Sequence, residues 1–258
     1  MCATCGCGDG GPTITLAGHT HSPEHTHDHH VHTETISLEQ KVLAKNDLLA
    51  EDNRNWLAER DILALNLTSS PGAGKTTLLE RTIRDLSRDR PVSVIEGDQE
   101  TLLDAERIRA AGARAVQVNT GAGCHLDAAM VRRALQTLDP ERESILFIEN
   151  VGNLVCPALF DLGEHSKVVV ISVTEGTDKP LKYPHMFAAA GLVIVNKIDL
   201  LPYVTFDLES CCGYVRSVNP SAEILPVSAT TGDGSAGWYQ WIDKRTNFAM
   251  NPPPVDNR

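Results

Sequence analysis

A glycine-rich segment between an apolar block and a helical stretch constrains this chain more than any other feature of its sequence. The block at 62–67 is followed by SSPGAGKTT at 69–77, and a helical stretch begins directly after it. Glycines let backbone N–H groups converge on an anion, and a helix N-terminus adds partial positive charge. Strand, loop and helix in this order predict a phosphate-binding P-loop, although Ser69 stands where the pattern usually has its first glycine.

The residues of this loop have different expected roles toward a bound nucleotide. Lys75 would reach the β- and γ-phosphates, and the Thr76 hydroxyl would bind Mg²⁺. Lys75 is therefore a catalytic candidate as well as a binding residue. We expect the phosphates to contact Gly72, Ala73, Gly74, Lys75, Thr76 and Thr77.

Apolar blocks alternate with helical stretches along the rest of the chain. The blocks are short, rich in valine and isoleucine, and mostly continuous, as is typical of parallel strands covered on both faces. We predict strands at 62–67, 92–95, 115–118, 145–148, 168–173, 193–195 and 224–227, and helices near 75–88, 101–111, 126–138, 183–190, 207–217 and 236–246. This alternation predicts an α/β fold, a three-layer P-loop NTPase with a mostly parallel central sheet.

The first 35 residues differ in composition from everything that follows. They contain three of the seven cysteines and most of the ten histidines, with almost no large apolar side chains, so we expect a flexible Cys/His-rich segment at 1–35. Ser37 can cap a helix, with Gln40 at the third position after it, which predicts an N-terminal helical region at 36–60 with its helix starting near residue 38. A G domain at 61–250 and a tail at 251–258 complete the expected organisation.

Charge and hydropathy exclude several classes of function. The 258 residues carry a net charge of −11, which argues against nucleic-acid binding and against polybasic membrane attachment. The longest apolar stretches are far shorter than the ~18–20 residues needed to cross a bilayer. We see no secretory signal, so we expect a cytoplasmic protein whose clustered thiols bind metal rather than form disulfides.

A second motif predicts which base the nucleotide carries. The sequence NKID follows the predicted strand at 193–195. The Asp199 carboxylate can accept hydrogen bonds from guanine N1–H and from the exocyclic amine, a donor pair that adenine lacks. Asn196 would fix the loop and Lys197 would lie along the base, while Ser228 and Ala229 would complete the pocket. With the P-loop, this motif predicts GTP and GDP as ligands.

Two acidic residues follow predicted strands, where an open α/β sheet binds its ligands. Glu149 begins the sequence ENVG, which takes the place of a DxxG element with Glu instead of Asp. Asp98 comes shortly after the strand at 92–95. Both are candidates for holding Mg²⁺ directly or through water, and both are catalytic candidates, since Asp98 could orient the attacking water. A helix-capping or turn role for Asp98 is the alternative.

Three cysteines near the N-terminus form the first of two metal-ligand groups. Cys2, Cys5 and Cys7 place three thiols within chelating distance, and the Cys2 amine, once Met1 is removed, would complete a square-planar Ni²⁺ site. The histidine-rich run at 19–32 is typical of a metal store or buffer.

The second metal-ligand group lies within the predicted G domain. Cys124 and His125 are adjacent, and Cys156 comes four residues after Gly152 of the ENVG sequence. Thiolate and imidazole suit Ni²⁺ or Zn²⁺, and a packed cysteine beside a capping histidine is the alternative. Three ligands are few for a closed site, so two copies facing each other across a dimer could complete one.

Taken together, these motifs resemble the HypB family, which belongs to the dimerising SIMIBI class of P-loop GTPases. The resemblance covers nearly the whole chain, with the elements in the expected order. It rests on Cys2-x-x-Cys5-Gly6-Cys7, the histidine-rich linker, the loop at 70–77, Glu96-Gly97-Asp98, GCHL at 123–126, ENVGNLVCP at 149–157 and NKID at 196–199.

The resemblance implies a nickel-binding GTPase that hydrolyses GTP, forms a homodimer dependent on GTP or metal, and delivers nickel during maturation of [NiFe]-hydrogenase. Its implied partners are HypA and the hydrogenase large subunit. It also implies a high-affinity nickel site at the N-terminal cysteines and a second nickel or zinc site, at the dimer interface, on the cysteines and histidine of the G domain. Asp178, Lys179 and Lys182 fall in a loop expected to contact nucleotide or the other protomer.

Two other functions stay open at the level of the sequence. A urease-type or other metallochaperone GTPase is the nearer one, but its metal motif is Cys-Pro-His, whereas Ala158 follows Cys156-Pro157 here. A nickel storage protein with a vestigial nucleotide site is the other, and the intact Lys75 and Asp199 argue against it.

Overall fold

The computed structural model describes residues 30–98, 103–121 and 123–250 and contains a sheet of seven strands flanked by helices. The strands are β1 (Leu63–Ser69), β2 (Val92–Asp98), β3 (Arg114–Asn119), β4 (Ile145–Gly152), β5 (Ser166–Ser172), β6 (Ala190–Asn196) and β7 (Glu223–Pro226). The helices are α1 (His30–Ala58), α2 (Lys75–Leu86), α3 (Leu103–Ala110), α4 (Ala128–Leu138), α5 (Lys179–Lys182), α6 (Pro184–Ala188), α7 (Leu208–Val218) and α8 (Ser235–Met250). Short 3-10 turns follow β4 at Cys156–Ala158 and β6 at Ile198–Tyr203.

The described strands all run parallel, in the order β3-β2-β4-β1-β5-β6-β7. The predicted α/β P-loop fold is thereby confirmed, and the sheet is wholly rather than mostly parallel. After β1 the chain winds to one side for β2 and β3 and to the other side for β5, β6 and β7. Such a reversal opens a crevice at the carboxyl ends of the central strands, which is where ligands bind in folds of this kind.

Side chains that alternate along the strands build a core on each face of the sheet. On one face Leu65 and its neighbours pack with α2, α3 and α8, where Trp238 is fully buried. On the other face Ala64 packs with Leu57 of α1 and with α4, while β5 and β6 pack with α6 and α7. The molecule therefore has the three layers that its continuous apolar strands predicted.

Helix α1 begins at His30, so the predicted start near residue 38 and the predicted Ser37 cap are wrong. Residues 30–40 contain neither glycine nor proline. Serine lowers helix propensity only slightly, so nothing in this stretch stops a helix that continues N-terminally. The helix is single and long, which was one of the two forms expected for this region.

The helix predicted at 183–190 is confirmed in shorter form as α6, and the short helix α5, which the sequence did not predict, lies before it. Pro184 starts α6, and the residue before a proline is disfavoured in the helical region. Tyr183 accordingly leaves it, with φ −125° and ψ 53°. The break separates α5 from α6, so α6 begins one residue later than predicted.

Several predicted features lie outside the described residues. They are the cysteines Cys2, Cys5 and Cys7, the histidines before residue 30, and the tail at 251–258. The proposed division at 35 and 60 stays a prediction. Within the described ranges, no helix combines the length and hydropathy that membrane crossing requires.

Candidate nucleotide and metal sites

The loop between β1 and α2 forms an anion cradle. Gly72 and Gly74 have φ of +74° and +90°, the left-handed region that glycine occupies without penalty, and Gly74 caps the start of α2. A Cβ on Gly74 would lie 2.5 Å from Asn196 Nδ2. Only glycine therefore fits at this position, at the helix N-terminus where an anion binds favourably.

A cleft of about 480 Å³ lies over this loop. Within it, Lys75 Nζ lies 2.9 Å from Glu149 Oε1, and Thr76 Oγ1 donates to the same oxygen at 2.6 Å. Glu149 is nearly fully buried at the end of β4. Two P-loop side chains predicted to face phosphate and Mg²⁺ therefore converge on an acid predicted to hold Mg²⁺. The cleft is lined by 69–77, Glu96, Gly97, Asp98, Asp104, Arg107, Glu149, Val151, Gly152 and Lys197.

Four carboxylates surround the cleft, two of which the sequence reasoning did not single out. Glu96, only 2% exposed, pairs with Glu149 across the β2–β4 ladder, so both side chains point to the same face. Burial, together with the negative charges of Glu149 and Asp98, raises the pKa of Glu96 to about 8. Asp104, at the start of α3, accepts from Thr76 Oγ1 at 3.3 Å.

These carboxylates suit a small divalent cation. The buried Oε2 atoms of Glu96 and Glu149 have no hydrogen-bond partner among the described residues. Carboxylate oxygens together with a threonine hydroxyl are the hard ligands that Mg²⁺ prefers. A cation here would satisfy both oxygens and offset the repulsion between the acids. Glu96 joins this group through the pairing of β2 with β4.

Arg107 is a second feature that the sequence reasoning missed. Its guanidinium on α3 donates to Thr77 Oγ1 at 3.4 Å and pairs with Glu80 at 3.1 Å and with Asp104 at 3.0 Å. An arginine is thus held at the phosphate end of the cleft. No local sequence pattern indicates it, because it approaches the loop only through the packing of α3 against α2.

The NKID sequence and the P-loop are joined by hydrogen bonds. Asn196 Nδ2 donates to the Ala73 carbonyl at 2.8 Å, and Lys197 Nζ donates to the Gly72 carbonyl at 2.7 Å. Asn196 Oδ1 accepts from the Ala229 N–H at 3.0 Å. Asn196 therefore fixes three loops at once, in keeping with its expected role.

Asp199 lies in the 3-10 turn that follows β6, two residues after the cleft residue Lys197. Its Oδ1 accepts from Ser228 Oγ at 2.6 Å, and Ser228 Oγ in turn accepts from the Thr231 N–H at 3.1 Å. These contacts hold the carboxylate in one orientation. The two predicted halves of a base pocket, from β6 and from the loop after β7, are thus brought together.

Cys124, His125 and Cys156 come together in space. Their ligand atoms all lie within 4.8 Å of one another. Cys124 Sγ is 2.9 Å from Cys156 Sγ and 3.6 Å from His125 Nδ1. Asn153 Nδ2 donates to the Cys124 carbonyl at 3.2 Å and so ties the two loops. We call these three side chains the inner cluster.

The chemistry of the inner cluster fits a transition metal. His125 stacks on Phe160 with ring centroids 4.0 Å apart. Burial lowers the pKa of His125, and the negative charge of Asp127 offsets this effect only in part. The neutral imidazole, which burial favours, is the form that binds metal. Val155 and Leu159, 57% and 53% exposed, form an apolar rim beside Cys156.

The loop that contains Asp178, Lys179 and Lys182 was expected to contact nucleotide or a second protomer. It approaches the phosphate loop on one side. Lys179 Nζ donates to Ser70 Oγ at 3.0 Å and pairs with Glu175 at 2.9 Å. Asp178 and Lys182 instead pair with each other at the surface, at 2.9 Å. Only Lys179 of the three predicted residues therefore touches the nucleotide loop.

Fold and cleft together define a P-loop nucleotide-binding protein with a thiolate-imidazole cluster beside the nucleotide site. Residues 63–226 match the family model described as CobW/HypB/UreG, nucleotide-binding domain. This chain is 59% identical to hydrogenase maturation factor HypB of Escherichia coli over 208 residues, 81% of this chain and 72% of that protein. The chain therefore belongs to the HypB family of hydrogenase maturation factors.

Two solved structures share this fold. HypB from Archaeoglobus fulgidus superposes with a TM-score of 0.73 at 39% identity, over 79% of this chain and 99% of that one. HypB from Helicobacter pylori in complex with nickel superposes with a TM-score of 0.74 at 36% identity, over 79% and 95% of the two chains. The family resemblance seen in the sequence motifs is confirmed.

Proposed function

We propose that this chain hydrolyses GTP and uses the nucleotide cycle to deliver nickel during maturation of [NiFe]-hydrogenase. One observation carries the proposal: the nucleotide cleft and the inner cluster are built on the same strand. Glu149 of β4 lies in the cleft, and Cys156 follows seven residues later in the turn that leaves this strand. A change at the γ-phosphate is therefore transmitted over a short distance to a metal ligand.

The nucleotide would lie along the cleft, with its phosphates on the P-loop and its guanine between the NKID sequence and the loop after β7. Backbone groups of 72–77 and Lys75 would hold the phosphates. Asp199 would select guanine, because adenine leaves its carboxylate oxygens unpaired. The Ser228 hydroxyl donates a hydrogen bond to Asp199 Oδ1 at 2.6 Å and so holds that carboxylate in place.

Hydrolysis in this proposal depends on the acids of the cleft. Thr76, Asp98 and Glu149 would hold Mg²⁺, which supplies charge neutralisation at the β- and γ-phosphates when bound. Asp98 would orient the attacking water, and Lys75 would leave Glu149 for the γ-phosphate. Arg107, held at Thr77, is placed to add positive charge at the phosphates.

Nickel is the proposed cargo of the inner cluster, and zinc is the competing ion that its donors also suit. The H. pylori relative was solved in complex with nickel, which supports the same ion here. The inner cluster of one chain offers three ligands, and the inner cluster of a second copy would supply the remaining ones. The exposed apolar rim of Val155 and Leu159 suits such a contact between two copies. Cys2, Cys5 and Cys7 would form a separate high-affinity nickel site, a proposal that rests on their spacing.

The partners of this proposal follow from the family. We expect HypA and the hydrogenase large subunit to receive or exchange the metal, in the cytoplasm, with no nucleic acid and no membrane involved. A buffering protein with an inactive nucleotide site is the competing function.

Replacing Lys75 decides between delivery and buffering. In Lys75→Ala we expect phosphate release to fall by roughly 100-fold or more, since the γ-phosphate loses its charge partner. Hydrogenase activity in cells that carry only this variant should fall with it, while Lys244→Ala, at an exposed position on α8, should change neither. Full maturation without hydrolysis would support buffering instead.

A further inference from the structure

Asn150 lies on β4 between the cleft and the inner cluster, and its side chain is buried. Its Oδ1 accepts a hydrogen bond from the Leu126 N–H at 3.2 Å. Leu126 directly follows His125. One end of the Asn150 amide is therefore bonded to the loop that carries two of the three cluster ligands, while its backbone neighbour is Glu149 of the cleft.

The other end of the amide begins a chain of buried polar groups. Asn150 Nδ2 donates to Asn66 Oδ1 at 3.4 Å, and Asn66 Nδ2 donates to Glu164 Oε1 at 2.9 Å. Lys167 Nζ lies 3.7 Å from the same Glu164 oxygen and donates to the Pro157 carbonyl at 2.8 Å. That carbonyl belongs to the residue after Cys156, so the chain ends at the third cluster ligand.

The backbone at Asn150 departs from regular strand pairing. Leu67 pairs with Glu149 and Ser69 pairs with Gly152, so β4 has one more residue than β1 between the two pairs. Such a bulge locally disrupts the ladder and re-aims side chains, and bulges occur often beside functional sites. The segment after Glu149 is therefore less tightly held by the sheet than the strand before it.

Burying two amides and an ion pair in this position stabilises the fold less than apolar packing would. Their hydrogen bonds connect both loops of the inner cluster to the residue after Glu149, so a shift of β4 would have to break or rearrange some of them. We propose that Asn150 is a positioning residue that couples the nucleotide state of the cleft to the geometry of the inner cluster. This inference rests on the proposed function.

The test uses the full chain with Cys2→Ser, Cys5→Ser and Cys7→Ser and with alanine in place of the seven histidines at 19–32, so that added Ni²⁺ reports on the inner cluster. Its Ni²⁺ dissociation constant is measured with GDP and with a non-hydrolysable GTP analogue. The ratio of the two constants gives the coupling, which for typical linked sites is about 5–150-fold. In Asn150→Ala we expect the ratio to fall to within about twofold of one, with the nucleotide affinities unchanged within about threefold.

Asn219→Ala is the matched control, because Asn219 is also a buried asparagine and its Nδ2 donates to three carbonyls away from both sites. It should keep the parent ratio. Lys167→Met, at the far end of the polar chain, should lower the ratio as Asn150→Ala does, and it decides the matter if Asn150→Ala does not fold.

Each contrary result has a distinct meaning. A parent ratio of one, with both ligands bound, would overturn the coupling in the proposed function and this inference with it. A parent ratio that persists in Asn150→Ala, or that is lost equally in Asn219→Ala, would overturn the role of Asn150 alone.

Discussion

The sulfur atoms of Cys124 and Cys156 lie 2.9 Å apart, although 32 residues separate them in the sequence. One comes from the loop before α4 and the other from the turn after β4, so their meeting depends on the whole central sheet. Together with His125, they place two soft sulfur ligands and one borderline nitrogen ligand close enough to bind the same metal ion.

Removing one of these thiols should abolish metal binding at the inner cluster. In the chain without the N-terminal cysteines and without the histidines at 19–32, Cys156→Ser should weaken Ni²⁺ binding by roughly 100-fold or more, because a hard hydroxyl replaces a thiolate ligand. Equilibrium dialysis measures the effect. Cys212→Ser is the control, since Cys212 lies on α7 outside the cluster. Equal Ni²⁺ affinity in the two variants would show that the three side chains do not form the site.

A methyl group on Gly74 should damage the nucleotide loop. Gly74→Ala places a Cβ 2.5 Å from Asn196 Nδ2 at a φ of +90°, which costs about 1–2 kcal/mol in backbone strain alone. GDP affinity should fall at least tenfold in a fluorescence titration, and the melting temperature should drop. In Gly213→Ala, where the Cβ meets nothing within 4 Å on α7, stability should rise by roughly 0.5–1 kcal/mol. Undiminished GDP binding by Gly74→Ala would contradict the geometry of the loop.

Replacing Asp199 by asparagine should change which base is bound. The amide can donate where the carboxylate could only accept, so it opposes the N1–H and amine of guanine and matches the C2 carbonyl of xanthine. We expect GTP affinity to fall by about 10²–10⁴-fold and the preference for XTP over GTP to reverse. Competition binding with GTP, ATP and XTP measures both, and an unchanged order of affinities would remove Asp199 from the base pocket.

The buried Glu96 should make the stability of the chain without metal or nucleotide depend on pH. Its folded pKa of about 8 lies above the ordinary value of 4.5, so the folded state holds this proton more tightly than the unfolded state. The stabilisation from protonation is complete below pH 4.5 and is lost as pH rises to about 8.

Glu96→Gln removes this titration. In EDTA, the fall in the free energy of unfolding between pH 5 and 8 should shrink by about 2–4 kcal/mol relative to the parent chain. Urea denaturation at several pH values gives this difference. Identical pH profiles for the two chains would mean that Glu96 ionises normally in the folded state.

The sequence predicted those elements that a short stretch of neighbouring residues is enough to identify. The apolar blocks marked all seven strands, and the glycines of 72–74 marked the loop between β1 and α2. The boundary of α1 was missed because Ser37 is favourable as a helix cap but lowers helix propensity too little to stop a helix that passes through it. Tyr183 was predicted to lie in a helix. It leaves helical geometry because a proline follows it.

The parts of the site that escaped prediction are those that depend on register and packing. Glu96 faces Glu149 only because β2 and β4 are neighbours in the sheet. Arg107 reaches Thr77 only because α3 packs against α2. Asn150 and Asn66 meet across two strands that are 84 residues apart in sequence. No spacing within a single segment reports such contacts.

The most direct test of the central claim is the rate of GTP hydrolysis with and without nickel. Phosphate release is measured for the chain with Cys2→Ser, Cys5→Ser and Cys7→Ser and with alanine in place of the histidines at 19–32, at zero and at one equivalent of Ni²⁺, and again after Cys156→Ser. We predict that nickel changes the rate at least fivefold in the first chain and leaves it unchanged in the second. A rate that is indifferent to nickel in both chains, while GTP and Ni²⁺ are each bound, would contradict a shared mechanism for nucleotide and metal.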